Sequence, residues 1–246
     1  KDGSGFGAMA GVSAAYLAKN GFSGAPAITM DSDGVISFWK DLGQKWLIKE
    51  QYFKPYPVCR WAQAPIEAVL QLKHQYNITS KEVKNIEIHT FHEAIRLAIS
   101  EPKTTEEAQY STSYPCAVAL VNGDVGVKEV SENSFREPET LRISKALKMV
   151  ENEYCNSQFP TQRFASAKIE LNDGRILETE FVNPRWTAEH PPKASELKTK
   201  FFKLSNPIIG KDNSKKIEFA VNNLKTNSEL NNLTSLLYEP IDGNSI

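Results

Sequence analysis

The stretch FASAKIELNDGRILETEF, residues 164–181, constrains the fold more than any other part of the chain. Apolar and polar residues alternate on both sides of Asn172-Asp173-Gly174, a triplet that tolerates the positive φ of a tight reversal. Period-two alternation turns one face of each run toward a core and the other toward water. The stretch therefore predicts an antiparallel hairpin. VKNIEIHT, residues 83–90, alternates in the same way and reads as a further strand.

The pattern on either side is helical. GAMAGVSAAYLAK, residues 7–19, is rich in Ala and small residues, which predicts a helix packed closely on several sides and stopped by Asn20-Gly21. Asp31 to Gly34 read as a turn, and ISFWKDLGQKW as a short helical or irregular segment with its aromatics buried. Residues 62–76 place Ala62, Ile66, Val69, Leu70 and Leu72 at helical spacing. Residues 116–121 read as an apolar helix ended by Asn122-Gly123, and 139–151 as an amphipathic helix with Leu141, Leu147 and Val150 inward. SELKTKFFKL, SKKIEFAVNNL and SELNNLTSLLYE each read as a short helix opened by a capping Ser. This order predicts an α+β fold, in which a partial all-α helical domain (1–49 and 187–246) is interrupted by a smaller α+β lid domain (50–186) with an antiparallel sheet.

Composition removes several function classes. Lys and Arg number 29 against 30 Asp and Glu, so the chain lacks the excess basic charge of a general nucleic-acid binder. No apolar run approaches the ~20 residues that cross a bilayer. The cysteines, Cys59, Cys116 and Cys155, are odd in number and far apart, which predicts no disulfide framework and a cytoplasmic setting. His89 and His92 are three apart, but no Cys or acidic cluster completes a ligand set, so no metal is expected. KDGSGFG at the start has no strand before it and is not read as a nucleotide loop, although Lys1 can present a cation to a substrate. The chain starts without Met, directly in a helix pattern, and reads as the later portion of something longer.

Chemistry concentrates in KPYPVCRWAQAPIEA, residues 54–68. Pro55 and Pro57 fix φ and push their preceding residues toward extended conformations, giving a stiff approach to a helix. That helix opens with unpaired N–H groups and a positive dipole end, flanked by Lys54 and Arg60. A mobile ammonium and a planar guanidinium suit a small carboxylate or phosphate ligand. Cys59, beside Arg60, is a candidate for a lowered thiol pKa. In QYSTSYPCA, residues 109–117, Tyr110 and Tyr114 are four apart, and a phenol aimed into a pocket can donate a proton or bind an oxyanion. The opposing reading makes these ordinary packing residues beside two surface cations.

KDGSGFGAMAGVSAAYLAKNGFSG, FKPYPVCRWAQAPIEAVLQL, AQYSTSYPCAVALVNGD and IELNDGRILETEF, in this order, resemble the C-terminal portion of the MmgE/PrpD family. That family includes 2-methylcitrate dehydratase, cis-aconitate decarboxylase and iminodisuccinate epimerase. The resemblance implies a helical domain interrupted by a lid, a homodimer, and small di- or tricarboxylate substrates held between the domains. It implies no cofactor, neither metal nor iron–sulfur cluster; charge and hydropathy, rather than the resemblance, point to no nucleic-acid or membrane partner. By the same resemblance Lys1 and Tyr114 are catalytic, and Lys54, Arg60 and Gln63 bind substrate. Cys59 is a further catalytic candidate, and it stands where the decarboxylases carry a histidine, which weakens that reading. Gln63 likewise stands at a position where relatives carry His, and an amide cannot act as a base. An N-terminal half with further site residues is implied to precede this portion.

The leading expectation is a lyase dehydrating a 2-hydroxy tricarboxylate of the 2-methylcitrate type. An epimerase of an amino or imino dicarboxylate shares the same proton abstraction. A non-catalytic carboxylate-binding fragment paired with a separate N-terminal half belongs to another class.

Overall fold

The computed structural model describes residues 3–224 and 230–238. The chain divides into two compact units, one ending at Glu50 and the other starting at Gln51.

The first unit holds α1 (Gly3–Lys19), α2 (Ile28–Asp31) and two 3₁₀ turns at Ile36–Trp39 and Leu47–Glu50. Helix α1 ends at Asn20-Gly21, where Gly21 takes φ 87° and its N–H bonds to Ala18 O. Two expectations fail here. No residue of α1 is buried, and Phe38 and Trp46 are 72% and 58% exposed. Small side chains permit close packing without supplying it. One 17-residue helix and a four-residue one cannot enclose a core between themselves.

The second unit is the α+β body. The long helix α3 (Arg60–Tyr76) leads to β1 (Val83–Thr90), then to α4 (His92–Ile95), α5 (Thr105–Tyr110), α6 (Tyr114–Asn122) and α7 (Pro138–Ala146). Strand β2 (Leu147–Glu151), α8 (Glu153–Gln158), and the hairpin of β3 (Ala165–Leu171) and β4 (Ile176–Glu178) follow, then α9 (Ala194–Asn223) and α10 (Leu230–Tyr238). The sheet order is β2-β1-β3-β4. Strands β1, β3 and β4 pair antiparallel, with Ile86 opposite Ile169 and Ile169 opposite Leu177. Gly174 closes the hairpin at φ 87°. The alternation holds to the residue: Ala165, Ala167, Ile169 and Leu171 are buried and the residues between them are not. Helix α3 covers this face with Ile66, Val69 and Leu72, all at 0% exposure. Each such aliphatic chain contributes about 1.5–3 kcal/mol on burial. Gly123 caps α6 at φ 76°, as its sequence position predicts.

The expected helix over 139–151 stops at Ala146. Residues 147–151 instead form a parallel edge strand on β1, with Ile88 opposite Met149, so the sheet is mixed rather than wholly antiparallel. Unpaired backbone along β1 competes with helical spacing over 147–151, and pairing wins. Ile143 is the fully buried apolar residue of α7, while Leu141, Leu147 and Val150 are half-buried.

Two of the three predicted serine caps, at Ser195 and Ser214, are absent. Ser195 lies inside the first turn of α9, where Glu196 accepts from Lys193 N at 2.8 Å. Ser214 lies within α9 and donates to Gly210 O. Ser228 is outside the described residues. Helix α9 reverses at Gly210, φ 77°. Lys198 pairs with Glu218 at 3.0 Å, whereas twenty residues of straight helix span about 30 Å. The two arms therefore lie against each other. No helix among the described residues is long and apolar enough to cross a membrane.

Candidate functional site

The KPYPVCR loop is held by the first turns of the helix it precedes. Gln63, fully buried in α3, donates to Tyr56 O (3.2 Å), Val58 O (3.3 Å) and Cys59 O (3.3 Å), and accepts from Tyr56 N (3.4 Å). One side chain thus satisfies the backbone of an extended segment that two prolines keep out of any ladder. Tyr56 Oη donates to Glu67 (2.9 Å) and accepts from Arg185 (3.0 Å), while Arg185 also pairs with Glu67 at 2.6 Å. Burial pushes the Tyr56 phenol well above its ordinary value. Cys59 N donates to Gln109 O at 2.7 Å, which joins this loop to the AQYSTSY segment.

The cations stand around this loop. Arg60 is 8% exposed; it donates to Arg185 O at 3.3 Å and lies 3.9 Å over the Tyr52 ring. Its Nε is buried without a hydrogen-bond partner among the described residues. Lys54 is half-buried, and its carbonyl accepts from the Lys200 ammonium. Burial, with the charges of Lys54 and Lys203 behind it, holds Lys200 below its ordinary value. Among the described residues, no carboxylate stands within ion-pair distance of Lys54, Arg60, Arg163 or Lys200.

The remaining candidates are placed as follows. Cys59 is half-buried and forms the N-cap of α3 without a side-chain cap bond, next to Arg60. Tyr114 is fully buried in α6; its Oη donates to Glu129 O (3.2 Å) and lies 3.4 Å from Ser134 O. Burial first, then Glu137 and Glu129, pushes its phenol up to about 12. Ser111, between the two tyrosines, knits the α5–α6 connection by donating to Ile99 O and accepting from Ile99 N and Tyr114 N. Lys1 lies outside the described residues. His89 faces Glu87 at 3.7 Å and His92 pairs with Glu151 at 3.1 Å. Among the described residues no group of three His, Cys, Asp or Glu is close enough to hold a metal ion.

Sequence reasoning missed Arg163, Arg185 and Lys200. Each is remote in sequence from the loop and carries no local pattern. Only Arg185, beside a tryptophan in NPRW, had even a compositional hint.

No curated protein matches the chain. Residues 56–226 match the family model described as the MmgE/PrpD C-terminal domain. That match runs from the anchored Tyr56 through the sheet and α9, so it takes in Cys59, Arg60, Gln63, Arg163 and Lys200, while Lys54 and Pro55 lie just ahead of it. On that match, which covers well over half of its length, the chain belongs to the MmgE/PrpD family.

Proposed function

We propose that the protein is a lyase that removes water from a small 2-hydroxy tricarboxylate of the 2-methylcitrate type. Family membership supports a dehydratase-type or related role. The observation that carries the reading is the surplus of cations at the KPYPVCR loop: Lys54, Arg60 and Lys200 have no carboxylate within ion-pair distance among the described residues. Such a surplus suits a ligand that brings its own negative charge.

In this reading Lys54 and Arg60 hold substrate carboxylates, and Gln63 acts by bracing the loop that carries them. Cations beside a carboxylate stabilise negative charge that develops on the adjacent carbon as its proton leaves. A base takes that proton and an acid protonates the departing hydroxyl, releasing water and leaving an alkene. Lys1, Cys59 and Tyr114 are the proposed proton-transfer groups, and of the three Cys59 adjoins the cations directly. The assembly that accompanies this reading is a homodimer, measurable by light scattering.

The test uses the full-length protein with 2-methylcitrate, following alkene absorbance. Lys54→Ala and Arg60→Ala each lower kcat/KM by about tenfold to a hundredfold, the loss expected for a hydrogen bond to a charged group. Undiminished activity in both variants would sink the assignment.

A further inference from the structure

The segment 159–164 runs beside the start of α3 and carries a guanidinium that nothing so far has used. Its aromatics form a box with Trp61, the neighbour of Arg60: Trp61 and Phe159 meet edge to face at 5.7 Å, and Phe91 stacks on Phe159 at 4.5 Å. Phe164 packs on the same cluster. On the other side, Gln162 Oε1 accepts from Asn183 Nδ2 at 2.9 Å. Asn183 belongs to a strap, residues 182–186, that two residues later presents Arg185 O, the acceptor of Arg60. The segment is therefore tied both to the helix turn that bears Arg60 and to the strap that orients it.

Arg163 sits within this tied segment. Its Nε is buried and has no hydrogen-bond partner among the described residues, the same condition as the Nε of Arg60. The two are the only arginines among the described residues in that condition. Burial first, and then the charge of Arg163, holds Arg60 below its ordinary value, against the opposing influence of Tyr52 and Glu189. Glu189 is exposed and does not pair with either. Two like charges on neighbouring segments, each with a donor withdrawn from water, are unfavourable unless an anion joins them.

We infer that Arg163 is a second anion-binding guanidinium, paired with Arg60 so that one carboxylate of the ligand bridges the two by accepting an N–H from each. This deepens the function proposed above and rests on it for the identity of the anion. A planar carboxylate with two oxygens matches two guanidinium donors better than it matches an ammonium. The pair then selects ligands by a carboxylate at this end, separately from the Lys54 and Lys200 end.

Titration calorimetry on the full-length protein tests this, with citrate and inorganic phosphate as probes. Arg163→Gln should weaken citrate binding by about tenfold or more with an unchanged Tm, and Arg163→Lys should recover part of the loss. Citrate binding that is equal in wild type and Arg163→Gln would overturn the inference and leave the proposed function standing. Phosphate binding that depends on Arg163, with no citrate binding, would keep the paired site and overturn the proposed function. Binding of neither anion by the wild type would overturn both. A fall in Tm in both variants that accounts for the weakened binding would make Arg163 a structural residue and overturn the inference.

Discussion

Gln63 uses both ends of its amide on the loop that precedes it, and that decides what its removal does. Gln63→Leu keeps the volume but leaves Tyr56 N without its acceptor and Tyr56 O and Val58 O without this donor, while Cys59 O keeps Ala62 N. Buried groups orphaned in this way cost about 1–3 kcal/mol. The expected outcome is a lower denaturant midpoint at an unchanged slope. A normal midpoint with a raised KM would instead make Gln63 a direct ligand contact. The thiols differ by the same logic of environment. Burial drives Cys116 well up and Cys155 up to about 11, whereas Cys59 stays half-buried at a helix start. Of the three, only Cys59 stands beside the cations.

Helix α7 is pinned to the sheet by one ion pair that also serves as a clamp. Arg142 bonds Glu139 through Nε at 2.8 Å and reaches Val83 O (3.0 Å) and Ser80 O (2.7 Å), where β1 begins. The Arg142 hydrogen bond, followed by Ser80, holds the Glu139 carboxyl at about 2 against an ordinary 4.5. A depressed folded-state value means stabilisation that is complete above the unfolded value and lost as pH falls through the folded one. Thermal melts should therefore show a stability loss between about pH 4.5 and pH 2. Glu139→Gln should flatten that acid limb while lowering stability at neutral pH. An unchanged limb would assign it to other carboxylates. The strand after α7 teaches a different lesson about elements. Residues 147–151 carry a helix-compatible spacing, yet the open edge of β1 draws them into a parallel pair.

At the level of the whole molecule, among the described residues the second unit carries the buried core, from Tyr56 to Ala220, and the first contributes no buried residue. A fragment spanning 51–246 should unfold cooperatively in denaturant. A fragment spanning 1–50 should show no cooperative transition, because helices that bury nothing gain too little to offset chain entropy. A sharp transition in the short fragment would contradict this division. By itself the amino-acid order determined everything that depends on neighbours along the chain. The Asn-Asp-Gly hairpin, the alternation of β1 and β3, the glycine stops after α1 and α6, and the proline-stiffened approach to α3 all follow from local backbone preference and period. The tertiary structure alone decided that 147–151 is a strand, that the small-residue helix is uncovered, and that Arg163, Arg185 and Lys200 gather at the KPYPVCR loop. Those outcomes depend on which distant backbone is left unpaired and which distant charge comes near. Neither leaves any trace in a residue's immediate neighbours.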